Sequence, residues 1–142
     1  MKRIKVITID GPAASGKGSL AISIANKFSF KLLDSGSLYR LFALFERRNI
    51  DYMEIVEIIK NRVEFELTKD SQNIIFDKNV DITNELKSEE VAKSASILSS
   101  QKEVRNHLFQ LQRDFYQGCG LVADGRDMGT VVFKDAKLKI FL

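Results

Sequence analysis

The stretch Gly11-Pro12-Ala13-Ala14-Ser15-Gly16-Lys17-Gly18-Ser19 decides the fold, because it contains the spacing G-x-x-x-x-G-K. Glycines at this spacing let backbone N–H groups converge on phosphate oxygens, and the lysine adds a full positive charge. Residues 4–9 before it are apolar and rich in β-branched types, which is typical of a strand buried on both faces. After it, apolar residues at i, i+3, i+4 and i+7 predict an amphipathic helix with one inward face: Ala21, Ile24, Ala25 and Phe28. A strand, a glycine-rich loop and a helix in this order predict a binding loop for ATP at residues 11–19.

The residue after the lysine narrows the class of protein. GTPases and most ATPase motors carry Ser or Thr directly after the lysine, where the hydroxyl binds Mg²⁺. Here Gly18 follows Lys17 and the hydroxyl comes one residue later, at Ser19, which is the G-K-G-[ST] pattern of nucleoside monophosphate kinases. Asp124 ends an apolar stretch and is a natural carboxylate for a metal or its water shell. We expect Ser19 and Asp124 to be the Mg²⁺ ligands, directly or through water.

The rest of the chain alternates between strand and helix patterns. We predict strands at 30–33, 121–124 and 137–142, and helices with apolar faces at 38–45, 51–61, 91–98 and 104–115. Between 63 and 100 the pattern changes to short, half-exposed strands followed by charge-rich helix, which indicates a small insert. The order predicts an α/β fold with a parallel core sheet flanked by helices, formed by 1–62 and 101–142, with 63–100 inserted.

Composition limits the function classes. With 44% hydrophobic and 29% charged residues among 142, the chain has globular values, which exclude a disordered protein. A formal net charge of +3 without a clustered basic face argues against a nucleic-acid partner and suits small anionic substrates. A single cysteine, Cys119, fits a reducing compartment, and no stretch predicts a signal peptide or membrane span. We therefore expect a cytoplasmic protein without membrane partners. We also expect it to be a monomer.

Three further polar stretches look like parts of a second substrate site. They are residues 34–40, the pair Ser96 and Arg105, and residues 124–130. The first and third are predicted to be loops at the ends of core strands, with residues 125–130 as the loop in the third, and ligands of parallel α/β sheets bind at the carboxyl ends of the strands. Arginine binds phosphate oxygens in a bidentate manner, so Arg40 and Arg126 are candidates for holding a phosphate.

Two of these stretches carry a specific resemblance. Asp34-Ser35-Gly36-x-x-Tyr39-Arg40 and Asp124-Gly125-Arg126-Asp127-Met128-Gly129-Thr130-Val131-Val132, together with G-K-G-[ST], resemble bacterial cytidylate kinases. The similarity covers essentially the whole chain, in the same order and at the same spacing. It implies the family's P-loop fold, in which 63–100 is the monophosphate-binding insert, and a mobile lid. It also implies phosphoryl transfer from ATP to CMP or dCMP with Mg²⁺.

The resemblance also assigns residues to the acceptor. It implies that Ser35, Arg40 and Arg126 meet the CMP phosphate and its surroundings, while Ser96, Arg105 and Asp127 surround the cytosine. A carboxylate such as Asp127 can accept from the exocyclic amino group of cytosine, whose O2 and N3 can accept from Arg105 or Ser96. The catalytic residues are then predicted to be Lys17, Arg40 and Arg126.

The chain also departs from the family pattern. Lys87 stands where an arginine is usual, and Ser19 replaces the usual threonine. The family is longer, so we expect this chain to be incomplete at the C-terminus and to lack the lid. Two alternatives stay open here. One is a fragment that binds nucleotides without catalysing transfer. The other is a different small-acceptor P-loop kinase, such as a shikimate or dephospho-coenzyme A kinase.

Overall fold

A computed structural model describes residues 2–142 as alternating strands and helices, together with one short π-helical segment. In chain order the elements are β1 (Ile4–Asp10), α1 (Lys17–Phe28), β2 (Lys31–Asp34), α2 (Ser35–Arg47), α3 (Tyr52–Asn61), β3 (Val63–Leu67), β4 (Asn73–Asp77), β5 (Val80–Asp81), α4 (Thr83–Leu86), α5 (Glu89–Ser99), α6 (Lys102–Arg113), β6 (Leu121–Gly125), the π-helical segment Met128–Val132 and β7 (Ala136–Phe141).

The core sheet is four-stranded and entirely parallel, in the order β2-β6-β1-β7. All five residues of β6 are buried, which matches the continuous apolar run expected of a strand covered on both faces. The connections from β1 to β2 and from β6 to β7 leave the centre of the sheet in opposite directions, so the carboxyl ends of β1 and β6 lie at a topological switch point. The predicted α/β class with a parallel sheet flanked by helices is confirmed.

The chain packs as two compact units. The first contains Met1–Ser35, Lys69–Gln72 and Gln112–Leu142, and so holds the parallel sheet, α1 and the π-helical segment. Its core is built from strand side chains and from Ala21 and Ala25 on the inner face of α1. Phe28, predicted on that same face, is 55% exposed, because α1 ends there and Ser29 adopts a left-handed conformation with φ of 55°.

The second unit contains Gly36–Thr68 and Asn73–Leu111. It holds the antiparallel sheet β3-β4-β5 and most of the helical residues. The predicted inner face of α2 is buried: Leu38, Leu41, Phe42 and Phe45. Arg62 pairs with Asp77 at 2.6 Å in this unit, which ties the end of α3 to β4. These two units are defined by packing. The functional division into 1–62 with 101–142, against an insert at 63–100, stays a prediction.

One predicted loop contains ordered helical structure. Residues 125–130 were expected to be a loop, but Met128–Val132 form π-helical turns in which Val132 N–H donates to the Asp127 carbonyl at 3.1 Å and Phe133 N–H to that of Met128. Five-residue π-helical turns are rare and frequently occur at functional sites. No helix within residues 2–142 is long and apolar enough to cross a membrane.

Candidate functional site

The phosphate-binding loop joins the end of β1 to the start of α1, as predicted. Gly16 immediately precedes the helix with φ of +86°, a left-handed conformation in which a side chain would be strained. The first turn of α1 carries neither a side-chain cap nor an acidic residue. Its backbone N–H groups and the positive end of the helix dipole are therefore available to an anion.

A buried hydroxyl inside this loop has no protein partner. Ser15 Oγ is inaccessible to solvent and makes no hydrogen bond within residues 2–142. A methyl group added at Gly11 would approach Ser15 Oγ to 3.0 Å, which shows how closely the two ends of the loop come together. Buried polar atoms are almost always satisfied, so a donor left without a partner in a phosphate-type loop is suited to a phosphate oxygen.

Lys17 and Asp124 form the charged centre of this region. Lys17 Nζ lies 3.6 Å from Asp124 Oδ1, which makes an ion pair, while that oxygen has no hydrogen-bond partner within the described chain. Burial, and after it the neighbouring Asp34 carboxylate, raise the pKa of Asp124 to about 6, although Lys17 acts in the opposite direction. A buried carboxylate that is destabilised in its charged form is poised to accept a cation.

The residues around Lys17 and Asp124 fit a magnesium ion that takes most of its ligands from water and phosphate oxygens and few from the protein. Within residues 2–142 no three His, Cys, Asp or Glu side chains are arranged to hold a metal. Mg²⁺ in nucleotide sites usually keeps several waters and takes one or two carboxylates together with phosphate oxygens. The unpartnered Oδ1 of Asp124 can supply such a contact, whereas Ser19 lies exposed in the first turn of α1. Both remain predicted ligands.

Ser35 lies at the junction of β2 and α2, beside the Asp124 strand. It is 4% exposed and its hydroxyl donates to Gln112 Oε1 at 2.8 Å. Because that donor is used within the protein, Ser35 would meet a ligand as an acceptor. Gln112, which is 3% exposed, was not singled out in the sequence. The sequence gives little indication that Gln112 belongs to the site, since a glutamine near the end of an amphipathic helix is common.

Arg126 and Asp127 form an exposed turn after β6, which we call the Arg126–Asp127 turn. Asp127 has φ of 58°, in the left-handed region, and its side chain does not cap the segment that follows. A distant residue that was not among the predicted site residues accepts these hydrogen bonds instead. Asp10, 8% exposed, accepts from Met128 N–H at 2.7 Å and from Gly129 N–H at 2.9 Å. An acidic residue ending an apolar strand was the available signal.

The remaining predicted acceptor residues belong to the second unit. Arg40 is half-buried on α2, and Ser96 and Arg105 are exposed on α5 and α6. The first unit brings together the phosphate-binding loop, Asp124, Ser35 and the Arg126–Asp127 turn. The roles of all these side chains toward a ligand stay predictions.

The parallel sheet, the loop between β1 and α1 and the buried carboxylate on the adjacent strand define the class: a P-loop protein of the nucleoside monophosphate kinase type. The comparison with protein families is specific. The family model described as "Cytidylate kinase" matches residues 7–142, and the chain belongs to this family.

Curated relatives agree with this assignment. The chain is 48% identical over 138 residues to the cytidylate kinase of Ralstonia pickettii, covering 96% of the chain and 59% of that protein. It is 44% identical over 147 residues to the cytidylate kinase of Acinetobacter baylyi, covering 98% of the chain and 64% of that protein. A bifunctional pantoate ligase/cytidylate kinase of Prochlorococcus marinus is 44% identical over the whole chain, which spans 29% of it. The chain thus spans less than two thirds of the length of these relatives.

Proposed function

We propose that the protein transfers the terminal phosphoryl group of ATP to CMP or dCMP, giving CDP or dCDP. The main structural support is the ion pair between Lys17, next to the phosphate-binding loop, and Asp124 on β6, whose charged atoms lie 3.6 Å apart. The strand that carries Asp124 leads directly into Arg126 and Asp127. The names of the relatives, which are cytidylate kinases, support the choice of acceptor. The family match does not favour shikimate or dephospho-coenzyme A as acceptor.

The donor site is the loop 11–19. Its backbone N–H groups and the open start of α1 hold the phosphates of ATP, and Lys17 neutralises charge on the β- and γ-phosphates. Asp124 and Ser19 hold Mg²⁺, directly or through water. When bound, Mg²⁺ would supply further neutralisation of the phosphate charge. A cation held by Asp124 would leave Lys17 to bind the phosphates.

In the acceptor site, different residues bind the phosphate and the base of CMP. Arg40 and Arg126 hold the acceptor phosphate in line with the γ-phosphate, and Ser35, whose hydroxyl donates to Gln112, lies in the surroundings of that phosphate. Asp127 accepts from the exocyclic amino group of cytosine, and Ser96 and Arg105 contact the rest of its polar edge. The attacking atom is a phosphate oxygen that is already anionic, so no side chain has to remove a proton. Positioning and charge neutralisation therefore account for catalysis.

This activity places the protein in pyrimidine nucleotide metabolism. We propose that it acts in the cytoplasm as a monomer, with small nucleotides rather than nucleic acids or membranes as its partners.

The test is an acceptor screen with the whole protein, ATP and Mg²⁺. ADP formation is followed with CMP, dCMP, UMP, shikimate and dephospho-coenzyme A as acceptors. We expect turnover with CMP or dCMP at least tenfold above UMP and none with the last two compounds. Turnover with either of the last two but not with CMP would overturn the proposal. So would ATP binding without transfer to any acceptor.

A further inference from the structure

We propose that Asp10 is a positioning residue that locks the Arg126–Asp127 turn, and so serves acceptor recognition rather than ATP binding. This inference rests on the proposed function. Asp10 itself takes no part in phosphoryl transfer. Among the described residues of the first unit, it is the most buried acidic residue apart from Asp124.

The contact is a long-range cap. The two oxygens of Asp10 each accept one backbone N–H, from Met128 and Gly129, although these residues lie 118 and 119 positions later in the chain. Both N–H groups belong to the first turn of the π-helical segment, where no intrahelical acceptor exists. Met128 and Gly129 are buried, so water cannot replace the carboxylate. Hydrogen bonds to a charged acceptor are about twice as strong as neutral ones.

The cap has a consequence for Asp127. The residue before a helical segment ordinarily caps it with its own side chain. Here the Asp127 side chain makes no capping bond and is exposed, because Asp10 satisfies the amides in its place. Asp127 is held at φ of 58°, a sparsely populated conformation for a residue with a side chain. Such a conformation persists only where the surroundings fix it, and the two bonds from Asp10 do so on its C-terminal side.

The fit around the cap is tight. A methyl group added at Gly129 would lie 2.7 Å from Thr8 Oγ1 and 3.1 Å from the Lys139 side chain. Asp10 and Thr8 are alternate residues of β1 and both are buried, but Thr8 Oγ1 makes no hydrogen bond within residues 2–142. Thr8 is therefore a matched control: it packs near the same segment without capping it.

The contacts of Asp10 predict different effects on the binding of ATP and on the binding of the acceptor. Asp10 directly precedes the phosphate-binding loop, yet both of its carboxylate oxygens accept from the segment that directly follows Arg126 and Asp127. Loss of the cap should free this turn and leave Lys17 and the start of α1 in place. The expected defect is therefore in affinity for the acceptor and in the choice of base.

The experiment compares Asp10→Asn with Thr8→Val. Asn has the same size but offers one acceptor oxygen, so one loop amide must face its NH₂ group. We expect hydrogen exchange at Met128 or Gly129 to accelerate at least tenfold in D10N and less than threefold in T8V. In the whole protein D10N should raise KM for CMP about tenfold and lower the preference for CMP over UMP. Its Kd for an ATP analogue should change less than threefold.

Several outcomes would overturn the inference. Fast exchange at both amides in the wild-type protein would do so without any variant. If D10N lost affinity for ATP and for CMP equally, Asp10 would be a general structural residue. The same would follow if amide hydrogen exchange accelerated while the preference for CMP over UMP stayed unchanged. If D10N does not fold, Gly129→Ala attacks the same contact from the turn and must give the same split between substrates. Absence of CMP phosphorylation by the wild-type protein would refute the proposed function, while amide exchange would still test the cap.

Discussion

Lys17 Nζ and Asp124 Oδ1 lie 3.6 Å apart, joining the first residue of α1 to the neighbouring strand β6. The Lys17 side chain is 22% exposed and that of Asp124 is 8% exposed, and Oδ1 of Asp124 makes no hydrogen bond within the described chain. The pair places a partly exposed positive charge and a buried negative one at the loop where phosphates are expected. Its two members give the first two predictions.

Replacement of Lys17 by Ala should lower kcat for phosphoryl transfer by about a hundredfold or more, because it removes a preorganised charge at the oxygens where negative charge develops. The measurement is kcat of the whole protein at saturating ATP and CMP. Lys27→Ala is the control, since Lys27 is an exposed residue in the last turn of the same helix. A loss below threefold for Lys17→Ala would contradict its assignment.

Asp124 should make the ligand-free protein less stable at neutral pH. The folded state raises its pKa from 3.8 to about 6, so between these values the native state binds more protons than the unfolded state. Stability contributed by the neutral form is then lost as pH rises from about 4 through 6. Asp124→Asn should therefore stabilise the protein at pH 7.5 by up to about 3 kcal/mol, and the gain should fade toward pH 4.

The measurement is urea unfolding of both proteins at pH 7.5, 6 and 4.5. Asp135→Asn serves as a control of opposite sign, because the hydrogen bond from Arg113 lowers the pKa of Asp135. That variant should be destabilised at all three pH values, with the difference shrinking only below about pH 4. A gain for Asp124→Asn that did not change with pH would mean that the Asp124 carboxylate is not desolvated.

Asp127→Asn should erode the preference for CMP over UMP, because uracil offers an acceptor where cytosine offers an amino group. A contact of this kind discriminates by about 1–3 kcal/mol, or roughly fivefold to 150-fold in the ratio of kcat/KM. Glu54→Gln, an exposed carboxylate on α3, is the control. An unchanged CMP-to-UMP ratio in Asp127→Asn would show that Asp127 does not read the base.

Gly125→Ala should damage the acceptor side of the site through packing alone. A methyl group at this buried position would lie 2.7 Å from Ser35 Cβ, so β6 or the start of α2 must shift. Overpacking of this kind costs about 1–3 kcal/mol, and the shift should also break the bond from Ser35 to Gln112. Urea unfolding and KM for CMP measure the two effects. Gly118→Ala, at an open position, should leave KM for CMP unchanged, although its φ of +91° also disfavours a side chain.

Local pattern predicted much of this fold. The apolar run 4–9, the G-x-x-x-x-G-K spacing and the buried face of α2 have strong periodic or positional signals, and the structure confirms each of them. The missed features depend on long-range contacts. The helical order of Met128–Val132 depends on Asp10, which is distant in the chain, and the partner of Ser35 is Gln112. Phe28 has the correct helical spacing, but the helix ends at it.

Transfer of label from [γ-³²P]ATP to CMP by the whole protein in the presence of Mg²⁺ would demonstrate the proposed CMP kinase activity itself. We expect labelled CDP as the main product, and its formation should fall about a hundredfold or more in Lys17→Ala. Label appearing only as free phosphate, or CDP formed equally well by Lys17→Ala, would refute the proposed activity or the role of Lys17 in it.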